Sequence, residues 1–187
     1  MAVRKLKQDD MITGGADTSV GEFWSWAYSD ILSNRNRSIF AEFIVGYALG
    51  IVENPRTEWD CVDHRYKGKT IEVKSAAYVQ SWIQEKPSII SFDIARKTPW
   101  DAETNIYGTG RVRSADCYVF SLFAQTDATR ANVLNLDDWK FYVLSTETIN
   151  REFKDQKSVV LSRIVRLCDA VEYGQLTDAV DTCLSIT

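Results

Sequence analysis

The chain has 187 residues, of which 45% are hydrophobic and 26% charged, with a net charge of −4 at pH 7. That is ordinary composition for one globular domain, long enough to bury a real core. No apolar run comes near the roughly eighteen residues a spanning helix needs, and no signal-peptide pattern opens the chain. A cytoplasmic protein without a membrane partner is therefore expected.

Residues 1–18 mix charge with Gly14-Gly15 and read as a mobile arm ahead of a single domain over 19–187. Gly21 to Ser33, with Phe23, Trp24, Trp26, Ile31 and Leu32, has the pattern of an aromatic amphipathic helix. Asn34 to Arg37 reads as a loop. The run Ser38 to Gly50 reads as a second helix, with Ser38 as N-cap and Gly50 as its stop.

Trp59 to His64 suits a short strand, Arg65 to Lys69 a turn, and Lys69 to Val79 a β-rich strand. Ile89–Ile94 predicts another strand, and residues near 97–112 a polar loop. Cys117–Phe123 is a continuous apolar run, as in a strand buried on both faces. Phe141–Leu144 repeats that pattern before a helix that Ser145 or Thr146 could cap. Val159–Leu161 forms a short strand, and the stretch Asp169–Leu184 ends in a helix. Helices ahead of a hairpin, then buried strands alternating with helices, indicate an α/β fold: a mixed central β-sheet flanked by helices.

The chemistry concentrates in EWDCVDHRYKGKTIEVKSAAYVQSW, residues 58–82. Side chains alternate along a strand, so Ile71, Val73 and Ser75 share one face while Glu72 and Lys74 share the other. Turn chemistry sets which acid of the preceding strand meets them. Lys67 is a poor first residue for a two-residue type I′ turn, and a three-residue loop over Tyr66-Lys67-Gly68 suits the sequence better. That loop pairs Arg65 with Lys69 and sets Asp60 opposite Lys74, on the face of Glu72. A two-residue loop shifts the register by one and brings Asp63 to Glu72 instead. Asp60 is preferred and Asp63 kept as the alternative.

Two carboxylates and an amine beside a strand can hold Mg²⁺, which prefers oxygen ligands and keeps several waters. Such an ion polarises a phosphoryl oxygen and activates water, and Lys74 could orient that water and stabilise the developing charge. The carbonyl of Val73 is a further candidate metal ligand. The small run Ser75-Ala76-Ala77 leaves room beside Lys74, and Ser75 is a candidate substrate contact. The solvated ion-pair face is the plain alternative.

Asp60 followed by Glu72-Val73-Lys74 resembles the PD-(D/E)xK nuclease superfamily. The longer run IEVKSAAYVQSW is similar to a bacterial and phage-borne branch of restriction-endonuclease-like proteins. Trp59 stands where a Pro often precedes the Asp. The resemblance implies a restriction-endonuclease-like core. It also implies a Mg²⁺-dependent deoxyribonuclease, with Mn²⁺ able to substitute, acting on DNA in a restriction, phage or defence setting. Asp60, Glu72 and Val73 would hold metal and Lys74 would position the nucleophile. The resemblance points to Glu42, in the preceding helix, as an auxiliary acid, and to Gln80 near the scissile phosphate. Double-strand cutting would suggest a homodimer. The rival reading is a catalytically silent DNA-binding or assembly module of the same fold.

Other residues narrow the chemistry. Cys61, Cys117, Cys168 and Cys183 are scattered without a C-x-x-C pair, which argues against zinc. His64 is the one histidine, which excludes His–His metal motifs and argues against a Ser-His-Asp scheme. A net negative charge is unusual for a DNA binder. Residues 1–113, however, balance 15 Lys+Arg against 15 Asp+Glu, so the deficit lies in the remainder of the chain. Arg35, Arg37, Arg65, Lys67, Lys69, Arg111 and Arg113 are candidate phosphate contacts.

Overall fold

The computed structural model describes residues 3–58, 60–101 and 106–186, so Trp59 and part of the expected 97–112 loop lie outside it. In chain order the elements begin with β1 (Met11–Ile12), β2 (Thr18–Ser19), α1 (Val20–Tyr28) and α2 (Asn34–Ala48). The strands β3 (His64–Tyr66), β4 (Lys69–Ala77), β5 (Ser91–Asp93), β6 (Trp100–Asp101), β7 (Ile106–Tyr107) and β8 (Cys117–Phe123) follow. The chain closes with β9 (Trp139–Ser145), α3 (Thr146–Phe153), β10 (Ser158–Val160), α4 (Leu161–Ile164) and α5 (Leu176–Cys183).

A four-stranded mixed sheet, ordered β3-β4-β8-β9, forms the centre. Strands β4 and β8 run parallel, and the β3–β4 and β8–β9 pairs are antiparallel. This is the mixed α/β architecture expected from the order of elements.

Period-two alternation divides the core. Ile71, Val73, Val119, Phe123, Trp139 and Phe141 pack against Ala41, Ile44 and Val45 of α2 and Leu176 and Val180 of α5. On the opposite face, Tyr118, Phe120, Leu122, Tyr142 and Leu144 pack against α3, α4 and the β5–β10 ribbon through Ile149, Phe153, Ile164, Phe92 and Val159. Every residue of β8 is buried, as its unbroken apolar run requires.

Three sequence expectations are corrected. Helix α2 starts at Asn34, with Ser33 as N-cap accepting from the Asn36 N–H at 3.4 Å. Ser38 lies a turn further in, its Oγ donating to the Asn34 carbonyl at 2.9 Å. The Asn34–Arg37 stretch reads as a loop by composition, but its side chains fix a helical turn. The Asn36 amide donates to the Asp30 carbonyl at 3.0 Å, and Arg37 donates to the Leu32 carbonyl at 2.7 Å.

Helix α1 starts at Val20 behind a capping box of Ser19 and Glu22, but it ends at Tyr28 and buries only Val20. Phe23, Trp24, Trp26 and Tyr28 stay exposed. Residues 3–19 carry the small β1–β2 hairpin, and the Lys5 amine donates to the Val52 carbonyl at 2.7 Å.

The third correction moves the site. The β3–β4 turn has two central residues, Lys67 at φ 48° and Gly68 at φ 77°, so both occupy the left-handed region of a type I′ turn. Pairing is His64 with Ile71, Arg65 with Thr70 and Tyr66 with Lys69. That is one residue away from the expected Arg65–Lys69 register. Lys67 pairs with Asp181 of α5 at 2.9 Å, with its amine over the Tyr66 ring, so tertiary contacts accompany a conformation that local preference disfavours.

Candidate active site

A one-residue shift of register exchanges the faces of neighbouring side chains. Regular pairing ends at His64–Ile71, and Asp63, just before it, donates its N–H to the carbonyl of the same Ile71 at 3.1 Å, beside Glu72. Asp63 Oδ2 accepts the Val73 N–H at 2.7 Å. His64 turns to the other side and meets the Glu42 carbonyl oxygen at 2.8 Å through Nε2.

That approach depends on Gly46, where an added Cβ would lie 2.8 Å from the His64 ring and 2.9 Å from Val52. With no side chain at Gly46, α2 can lie directly over the hairpin, which brings Glu42 toward Asp63.

A cleft of about 530 Å³ opens on the Glu72 face of β4, walled by Glu58, Asp60, Asp63, Glu72, Lys74 and Lys97. Its far side carries Pro99, Trp100 and Tyr107. Glu72 and Lys74 form an ion pair with 13% and 19% of their side chains exposed. Asp60 lies before β3, accepting its neighbour Cys61 N–H at 2.7 Å and pairing with Arg65 at 3.3 Å. It lines the cleft but has no partner in the β4 ladder.

Charges are crowded here. Burial first, then the facing Glu42 carboxylate, pushes Asp63 above the usual carboxylate range against the pull of the Val73 N–H and Lys74. Burial and Asp63 together push Glu72 up, against Lys74. Two such groups resist double ionisation and titrate as a pair. Burial works against the Lys74 ammonium, but Glu72 and Asp63 outweigh it and hold the amine above its ordinary value. Lys74 is therefore a cation and a proton donor to oxygen at neutral pH, not a free base. Tyr118, beside Glu72 across the β4–β8 ladder, is raised by burial and by that carboxylate.

The remaining sequence-derived residues divide in place. Glu42 is buried and points to the cluster, but its carboxylate is held by Arg56, with Nη2 to Oε1 at 3.0 Å. The Val73 side chain is in the core, and its N–H faces Asp63 on the β3 side of the strand. Alternation turns the Val73 carbonyl to that same edge. Ser75 is on the α2 face, its Oγ 3.4 Å from that of Ser38, and so lies across the sheet from Glu72 and Lys74.

Gln80 and Arg37 bond to each other at 3.1 Å in a buried network that also takes in Asn34, Ala77 and Ser88. Arg37 is 3% exposed, a helix residue and not a loop contact. Lys67 sits at the hairpin tip, about 15 Å along the strand from Glu72 by strand rise. Arg113 is buried as a structural clamp, donating to the carbonyls of Ile94, Lys154 and Gln156 at 2.7, 2.9 and 3.0 Å. Arg56 and Lys97, both walls of this region, were not singled out by sequence, since neither belongs to a periodic element.

Among the described residues no three carboxylate, imidazole or thiol groups draw together as a ready-made metal cage. The donor set is Asp63 and Glu72, two oxygen ligands whose mutual repulsion a cation would relieve. It fits a hard ion that keeps most of its waters.

The chain matches the family model of bacteriophage T4 endonuclease IV over residues 16–163. It belongs to that family. The matched span contains all four strands of the central sheet and every acid of the cleft. No curated protein and no solved structure matched the chain. No helix among the described residues is long and apolar enough to cross a membrane.

Proposed function

We propose that this protein is a Mg²⁺-dependent endonuclease that hydrolyses phosphodiester bonds in DNA, with a PD-(D/E)xK-type site. Membership of a family named for a phage endonuclease supports the reaction class. The observation that carries the proposal is the meeting of Asp63, Glu72 and Lys74 in one cleft with the two carboxylates pressing on each other. Asp63 takes the ligand role that the unshifted register gave to Asp60. Asp60 stays on the cleft wall as a flanking acid. Asp63, Glu72 and the Val73 carbonyl would hold the cation, and Glu42 supports Asp63 from α2. When bound, Mg²⁺ supplies Lewis acidity toward the phosphodiester oxygens. Mn²⁺, with the same preference for oxygen ligands, can substitute.

Lys74, fixed by Glu72 and kept protonated, donates to the attacking water or to the phosphoryl oxygen as negative charge develops there. The apolar packing behind β4 holds these side chains without rearrangement. A family named for a phage enzyme is consistent with action on DNA inside an infected cell.

Plasmid cleavage with Mg²⁺ or Mn²⁺ tests the reading. Wild type should nick or cut, and Lys74→Ala should be slower by a factor of about 10²–10³. If wild type binds neither ion at millimolar levels and cuts neither DNA nor RNA, the chain is a binding or assembly module instead.

A further inference from the structure

We propose that Arg56 is a phosphate-contacting residue of this site, parked on Glu42 in the free protein and passed to the substrate backbone on binding; this rests on the nuclease reading above. Arg56 grips Glu42 through two guanidinium nitrogens, Nε and Nη2, the second at 3.0 Å. Its Nη1 makes no hydrogen bond among the described residues. A carboxylate and a phosphate offer a guanidinium the same two-oxygen face, so Glu42 already occupies the geometry a phosphate would take.

The two partners differ in access. The Arg56 side chain is 37% exposed and that of Glu42 only 11%. Arg56 lines the roughly 750 Å³ cavity that also takes in Asp60, Asp63 and Arg65, and it lines the adjoining groove of Trp24, Phe43 and Arg35. It therefore stands in an opening next to the cleft, one that shares Asp60 and Asp63 with it. Among the described residues, no regular element holds the segment between α2 and β3 that carries it.

Charge favours such a residue: Glu42, Asp63 and Glu72 stand beside Arg56 and Lys74, while Lys97 on the cleft wall is drawn to Asp93 at 3.7 Å. A polyanion approaching that cluster is repelled unless a cation can turn to face it. Lys74 is committed to Glu72 within the cleft, whereas Arg56 reaches solvent and needs only to exchange one anion for another. Arg65 is already paired with Asp60 and lacks the bidentate geometry. Arg35 lines the groove but bonds to none of the acids.

The test is fluorescence anisotropy of a fluorescein-labelled DNA oligonucleotide, single-stranded and duplex, over a range of salt. Ca²⁺ replaces Mg²⁺ to hold cleavage off, and Mg²⁺ cleavage is measured alongside. Arg56→Ala should weaken binding about tenfold, whatever the DNA sequence. It should also lower the slope of log K against log salt by about 0.7–0.9, one phosphate contact. Arg56→Lys should keep the slope and lose part of the affinity, because it keeps the charge but not the fork.

Arg56→Ala leaves Glu42 unpaired, so the measurement is repeated with Glu42→Gln added, which removes the stranded charge. The double variant should show the same fall in slope. Wild-type cleavage together with an unchanged slope in both variants overturns the phosphate contact and leaves the nuclease standing. Wild type that neither binds nor cuts overturns both.

Discussion

Asp63 carries the sharpest consequence at the scale of a residue. It sits near Glu42 and Glu72; burial first, then the Glu42 carboxylate, holds it above the usual carboxylate range, and burial and Asp63 do the same to Glu72. The folded protein thus keeps protons that the unfolded chain releases. The stability from Asp63 and Glu72 is whole below the unfolded carboxylate value, about pH 4, and is lost as pH rises through their folded values. Asp63→Asn retains an oxygen to accept the Val73 N–H but removes one charge from the cluster. In metal-free buffer its melting point should match wild type near about pH 4 and exceed it at neutral pH. Cleavage should fall about 10²–10³-fold in the same variant, against a much smaller loss in Asp60→Asn. Equal losses at the two positions would return the ligand role to Asp60. Mg²⁺ should raise the wild-type melting point, more than it raises that of Asp63→Asn, because only wild type offers the paired carboxylates.

Contact between α2 and the β3–β4 hairpin controls the site at the scale of elements. Gly46→Ala should gain up to about 1 kcal/mol of helix propensity. The added Cβ, however, would meet the His64 ring and Val52 at 2.8 and 2.9 Å. Overpacking of that kind costs about 1–3 kcal/mol, so the net expectation is a destabilised protein with Glu42 drawn away from Asp63. Urea denaturation should give a lower midpoint with an unchanged slope, and cleavage should drop although no site residue is altered. An unchanged midpoint would mean the helix rides over the hairpin freely. The helix itself is well ended: the Ile51 N–H reaches the Gly46 carbonyl at 2.9 Å and the Gly50 N–H the Tyr47 carbonyl at 3.1 Å, a Schellman closure. A loss of stability in Gly46→Ala would therefore come from packing and not from fraying.

Across the whole molecule, Arg113 joins segments far apart in sequence. It ties the end of the β5 segment at Ile94 to Asn150 of α3 and to the turn carrying Lys154 and Gln156. Arg113→Ala removes the donor from a buried carbonyl at Ile94 and from two part-buried ones, and should cost about 1–3 kcal/mol in chemical denaturation. Arg111→Ala, two residues earlier on an exposed stretch, should stay within about 0.5 kcal/mol. Similar costs for the two would deny the clamp. Read from sequence, both arginines are candidate phosphate contacts or solvated surface charges, because charge type says nothing about burial.

What the chain determined by itself is whatever rests on local pattern. The apolar run of β8 could only be a strand buried on both faces, and Ser145 could cap α3 because its hydroxyl reaches the Thr148 N–H at 3.2 Å. Glu72 and Lys74 had to share a face, since period-two alternation is a property of any strand. Tertiary structure decided what depends on distant partners. Asp181, more than a hundred residues from Lys67, stabilises the left-handed turn that moves the register by one and exchanges Asp60 for Asp63. Arg113 went inside because carbonyls from other segments accept from it there, and Arg37 because Leu32, Asn34 and Gln80 accept from its terminal nitrogens. Glu42 faces the acids because Gly46 lets the helix settle on His64. In each case the deciding contact comes from a partner that the local pattern does not contain.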